Sequence, residues 1–175
     1  MLNTTRQYFV ALIASGLLLS ACAPSSTPQK KQTDLPPHTL TISHAENGLV
    51  TQASQHSVSV TIDRLEAAVK AKGLKVFARI DHDENAQALN LDIRPNTLLI
   101  FGSPKIGAPL MREAPAIGID VPVKALAYED KNGKVFLVYN DPAYLKSRHN
   151  IQAATQPLEK MSKALAGLTK TAISP

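Results

Sequence analysis

The stretch Leu98-Leu-Ile-Phe-Gly-Ser-Pro-Lys-Ile-Gly-Ala-Pro-Leu-Met111, followed by Gly118-Ile-Asp-Val-Pro-Val-Lys-Ala-Leu-Ala-Tyr-Glu-Asp130, limits the folds open to this chain. Its first apolar run is too short for a helix and is apolar on both faces, which predicts a central strand over Thr97–Phe101. Gly102-Ser103-Pro104 ends that strand, and Pro109 is well placed at the first turn of a helix through Leu110 and Met111. Strands then follow over Val123–Glu129 and Lys134–Asn140, joined by Asp130-Lys-Asn-Gly133, a strong hairpin signal.

The remaining elements follow from periodicity and caps. A folded domain is expected from near Gly48, with a weak strand over Leu49–His56. Ser59 or Thr61 can cap a helix carrying Ile62, Leu65, Ala68 and Val69 on one face, stopped by Gly73. Leu74–Asp81 reads as a strand with Val76, Ala78 and Ile80 on one face and Phe77, Arg79 and Asp81 on the other. Asp83 can cap a short helix with Ala86 and Leu89. Asp141-Pro142 starts another helix. After Pro157, Leu158, Met161, Leu165 and Leu168 form an apolar stripe on a last helix. The expected fold is α+β: a single compact domain with a mixed sheet of about five strands and helices packed mainly on one face.

The first residues follow a different pattern. Arg6 precedes an apolar run, Tyr8 to Leu19, and small residues lead to Cys22, the only cysteine of 175 residues. A basic start, a short apolar core and small residues before a cut site make a signal peptide. The run is shorter than the roughly 20 residues of a membrane span. Leu19-Ser-Ala-Cys22 resembles the lipobox of bacterial lipoproteins. That resemblance implies a leader over residues 1–21, lipidation of Cys22 and, with Ala23 rather than Asp next, the periplasmic face of the outer membrane.

Residues 22–45 are then a lipid-anchored tether, rich in Pro, Ser, Thr, Gln and Lys from Ala23 to Pro37. His38 and His44 near its end fit no common metal motif. Lipidation would leave no thiol for a disulfide, a metal site or a nucleophile. The chain carries a net charge of +5 but no Arg-rich run with stacking aromatics, so nucleic acid is not an expected partner.

Val76-Phe-Ala-Arg-Ile-Asp-His82, Leu99-Ile-Phe-Gly-Ser-Pro-Lys105, Gly107-Ala-Pro-Leu-Met111, Gly118-Ile-Asp-Val-Pro-Val123 and Tyr139-Asn-Asp-Pro-Ala-Tyr-Leu-Lys-Ser-Arg-His149 resemble the domain-of-unknown-function 302 family. The resemblance assigns residues 46–152 to that domain and leaves residues 153–175 outside it as a C-terminal amphipathic helix and tail. It implies a compact α+β domain that often forms a homodimer. It implies no activity, and a fold alone would supply none.

Three groups of residues carry candidate chemistry. His82, at the end of a strand, suits an acid, a base or a ligand-binding group, or a helix cap. Gly102, Ser103 and Lys105 lie at the carboxyl end of a central strand, where free N–H groups and an ammonium suit a small anionic ligand. Tyr139, Arg148 and His149 form the third group, the last two also suiting a helix carboxyl end. Consecutive strands linked by a helix run parallel, which predicts that His82 and the Gly102–Ala108 turn share one crevice. No Ser-His-Asp order, metal signature or dinucleotide fingerprint is present, and the cofactor is unknown. A membrane-tethered module binding a small ligand is the leading expectation. An enzyme using His82 as acid/base on a small anionic substrate, oriented by Lys105, is the alternative.

Overall fold

A computed structural model of the chain describes residues 42–44 and 46–175. The lipobox with Cys22, the leader and most of the tether, including His38, lie outside the described residues. The elements run β1 (Ile42–His44), β2 (Leu49–Ala53), α1 (Val58–Ala71), β3 (Lys75–Asp81), α2 (His82–Gln87), β4 (Asn96–Gly102), α3 (Pro104–Glu113), β5 (Val123–Glu129), β6 (Val135–Asn140), α4 (Pro142–Arg148) and α5 (Thr155–Ile173). A 3-10 turn, Pro115–Ile119, follows α3. β1 places the first described strand ahead of the expected start at Gly48, within the stretch expected to be tether.

The six strands form one sheet in the order β1-β2-β6-β5-β4-β3. Every pair is antiparallel. The α+β class stands; the expected mixed sheet does not. The reason lies in α2, His82-Asp-Glu-Asn-Ala-Gln87, which buries no side chain. A crossover helix must cover the sheet with an apolar face, and this one has none to offer. The chain therefore turns back at the end of β3, and β4 runs antiparallel beside it. β4 is interior, as its two-sided apolar sequence predicts.

One face of the sheet carries the core. Leu99 and Phe101 of β4, Ala125 and Ala127 of β5 and Leu137 of β6 are buried there. α1 lies across β3, β4, β5 and β6, and α5 packs on α1, α3 and α4. Val58, Ile62, Leu65 and Val69 form the buried stripe of α1. Its cap is Ser57, not Ser59 or Thr61: the Ser57 hydroxyl accepts from the Val60 N–H at 3.3 Å. Thr61 sits inside the helix, its hydroxyl donating to the Ser57 carbonyl at 2.8 Å. Gly73 stops the chain with φ +67°.

Two expectations are met for local reasons. Asp130 holds the β5–β6 turn by accepting from the Lys134 and Asn132 N–H groups at 2.8 and 2.9 Å. These bonds favour the carboxylate and lower its pKa. Asp141 caps α4 through the Ala143 N–H at 2.9 Å. Arg79 pairs with Asp81 at 3.4 Å and also reaches Asp63 on α1. Asp83 caps nothing; its carboxylate accepts from the Asn96 N–H at 3.2 Å and ties α2 to β4. No helix among the described residues is long and apolar enough to cross a membrane.

Candidate functional site

β3 and β4 fix where the expected site residues lie. Lys75 pairs with Gly102, and Asp81 pairs with Thr97. His82 is therefore at one end of this strand pair, and the Gly102-Ser103-Pro104-Lys105 turn is at the other. Six steps of about 3.3 Å separate the two ends, roughly 20 Å. The shared crevice is ruled out, and with it the enzyme that would have used His82 and Lys105 together. His82 opens α2 and is exposed.

The turn also lacks the free backbone N–H groups expected of it. Ser103 caps α3, and its hydroxyl accepts from the Lys105 N–H at 3.3 Å. The Ile106 and Gly107 N–H groups reach the Ser103 carbonyl at 2.9 and 3.0 Å. Pro104 has no N–H to give. The first turn of α3 thus has no spare backbone N–H donor. Pro109, expected to start this helix, lies within it.

Tyr139 and His149 go to separate places. Tyr139 is buried on the helix-covered face and pairs with Val50 and Ala125. Burial raises its pKa above 10, while a hydrogen bond with Thr169 of α5 acts the other way. His149 Nε2 lies 2.6 Å from the Asp120 carboxylate, both side chains about 8 % exposed. Arg148 Nε approaches the same carboxylate at 3.7 Å. This cluster ties the end of α4 to the turn before β5, so Arg148 and His149 have a structural partner.

What the fold does build is a cavity of about 270 Å³ between the sheet end, α3 and α5. Phe101 and Val123 contribute from the sheet, Ile106 and Met111 from α3, and Met161, Leu165 and Leu168 from α5. Gly102 and Ser103 line it; His82, Lys105, Tyr139 and His149 do not. Of sixteen lining residues only Ser103 has a polar side chain. The apolar stripe of α5 was legible in the sequence, but its role as a cavity wall depends on where that helix docks.

Phe77 was missed for another reason. The pairing slips between Val76 and Ala78, so that Val76 faces Phe101 and Ala78 faces Ile100. Such a bulge leaves one residue out of the alternation. Phe77 is that residue, and it stands 44 % exposed at the cavity rim. Val76 turns to the core face instead of sharing a face with Ala78 and Ile80. The Lys75 ammonium lies 4.9 Å from the centre of the Phe77 ring. Among the described residues no three His, Cys, Asp or Glu side chains gather to hold a metal ion.

Comparisons with known proteins bear on the fold. The family model described as "Domain of unknown function DUF302" matches residues 50–168. That range takes in most of α5, which the sequence motifs alone left outside. The crystal structure of an uncharacterised conserved DUF302 protein from Bacillus stearothermophilus superposes with a TM-score of 0.64 at 25 % identity, covering 71 % of this chain and 98 % of that one. Two curated relatives, from Brucella suis and Brucella abortus, are each 47 % identical over 106 residues, 61 % of this chain. Both are named fluoride-specific ion channel FluC 1. The chain spans about two fifths of their length, 42 % and 39 %.

Proposed function

The chain belongs to the domain-of-unknown-function 302 family, which is named without an activity, and on that premise we propose that it is a lipid-anchored module that holds a small ligand at the periplasmic face of the outer membrane. The observation that carries ligand binding is the apolar cavity between α3 and α5. Protein interiors leave few voids larger than a water molecule. An apolar space lined from β3, β4, β5, α3 and α5 has the character of a small ligand pocket. Its lining suits a ligand that presents apolar surface, and not a small anion without any.

The lipobox supports the location. Wild-type chain made in a Gram-negative host should incorporate labelled palmitate and partition into detergent, and Cys22→Ser should do neither. Equal partitioning of the two would overturn the anchor. Binding is tested with N-phenyl-1-naphthylamine, whose fluorescence rises in an apolar site. A saturable rise with the Cys22→Ser chain supports the module; no rise contradicts it.

A second reading rests on the Brucella relatives. A domain 47 % identical to this one makes up part of proteins named as fluoride channels. This chain would then serve beside a membrane anion channel as a separate accessory. Loss of the gene should change growth in fluoride-containing medium if that is its setting; unchanged growth across a fluoride series would contradict it.

A further inference from the structure

We propose that the cavity between α3 and α5 takes a single unbranched alkyl chain with its carboxylate left at the rim beside Lys75. This rests on the reading of the chain as a ligand-binding module and names the ligand class.

The lining excludes the alternatives. Ser103 is its only polar side chain, and its oxygen already accepts from the Lys105 N–H, which leaves that side chain one O–H to donate. The neighbouring backbone donors are committed to the Ser103 carbonyl. A sugar, a nucleotide or an inorganic anion would lose its hydration there and find little more than one hydroxyl in return. Apolar surface is what the site can recognise.

Size and wall chemistry narrow the class further. The space of about 270 Å³ is many times what a single water needs, which leaves room for a run of methylene groups. Met111 and Met161 lie on facing helices, and their unbranched thioethers adapt to a flexible guest.

The rim supplies the orientation. Lys75 stands directly across from Gly102, which lines the cavity. Its ammonium lies over Phe77, which the bulge turns out to the rim. An exposed cation beside an apolar mouth fits a guest with an apolar body and an anionic end. A free fatty acid and the acyl chain of a lipid, including the chain's own anchor, share that body.

The test is a chain-length series. The mature chain from residue 22, carrying Cys22→Ser and prepared without detergent, is titrated calorimetrically with the even-numbered carboxylates from butanoate to dodecanoate. Each added methylene should tighten binding about fourfold, until the chain outgrows the cavity and the series flattens. Ala164→Phe, which places a ring in the cavity from α5, should abolish decanoate binding. Gly107→Ala is the gentler variant: its methyl would sit 3.6 Å from the Met111 ε-carbon, an ordinary contact, and should weaken the longest chains without disturbing the fold. Lys75→Ala should weaken decanoate about two- to fivefold and leave decan-1-ol unchanged.

Binding that ignores chain length, or survives Ala164→Phe in a folded protein, overturns the proposal. If N-phenyl-1-naphthylamine binds and Ala164→Phe abolishes its binding while no carboxylate binds, the cavity remains a ligand site and the alkyl-chain class fails. If neither the dye nor any carboxylate binds, both readings fail. Lipidated wild-type chain separates the sources. Refusal of decanoate by that form alone assigns the site to its own anchor, and equal binding by both forms assigns it to a free chain.

Discussion

At Gly48 the backbone takes φ +78°, a region that disfavours any side chain with a Cβ. The Tyr144 ring of α4 also occupies the space a Cβ would need. The Gly48 carbonyl accepts from the Asp141 N–H at 2.8 Å, so β2 enters the sheet pressed against the start of α4. Gly48→Ala should lower stability by about 1–3 kcal/mol or more, from backbone strain and overpacking together. A urea midpoint equal to that of the wild type would contradict this. The sequence marked Gly48 as a boundary, but Tyr144 meets it only in the fold. The same limit applies to His149. Its place at the end of α4 was legible, and its Asp120 partner was not, because that pair joins residues from different elements.

At the scale of elements, local turn chemistry was readable and element placement was not. The β5–β6 hairpin and the start of α4 are set by Asp130, Gly133, Asp141 and Pro142 acting on their immediate neighbours. The direction of β4 depends on whether α2 can cover the sheet, and the family motifs say nothing about that. α5 shows the point most clearly. Its N-cap residue, Ala154, makes no side-chain cap bond. Glu113, at the end of α3, accepts from the Gln152, Ala153 and Ala154 N–H groups at 2.6, 3.0 and 2.6 Å. These bonds favour the carboxylate and pull its pKa below the ordinary 4.5.

A pKa depressed in the folded state gives stability that is present above the unfolded value and lost as pH falls through the folded one. Glu113→Gln should therefore lower the melting temperature slightly at neutral pH, since the carboxylate is fully solvated. The gap to the wild type should begin to close as pH falls below 4.5 and vanish once pH has passed the depressed folded value, where the wild-type carboxyl is neutral in both states. A gap that widens in acid would show that Glu113 does not clamp α5 through its charge. The clamp also bears on function, because α3 and α5 are the two helical walls of the cavity.

At the scale of the whole molecule, an antiparallel sheet carries its core on one face, and the cavity opens where β4, α3 and α5 meet. The α+β class and the family were legible from the strand signals and from several motifs in the right order. The cavity was not, because it is enclosed by residues as separate as Leu74 and Leu168. The leading expectation of a ligand-binding module remains as the proposal. Its site now belongs to the apolar walls and no longer to His82, Tyr139 and His149.

The chain has three methionines, and the two in the described domain, Met111 and Met161, both line the cavity. Their ε-methyl groups, labelled with carbon-13 and assigned by single Met→Leu substitutions, report on this site directly. Titration of the unlipidated mature chain with decanoate should shift both signals together and saturate at one ligand per chain, with Ala164→Phe suppressing both changes. Saturable binding that leaves both methyl signals in place would show that the ligand sits elsewhere and that the cavity is not the site.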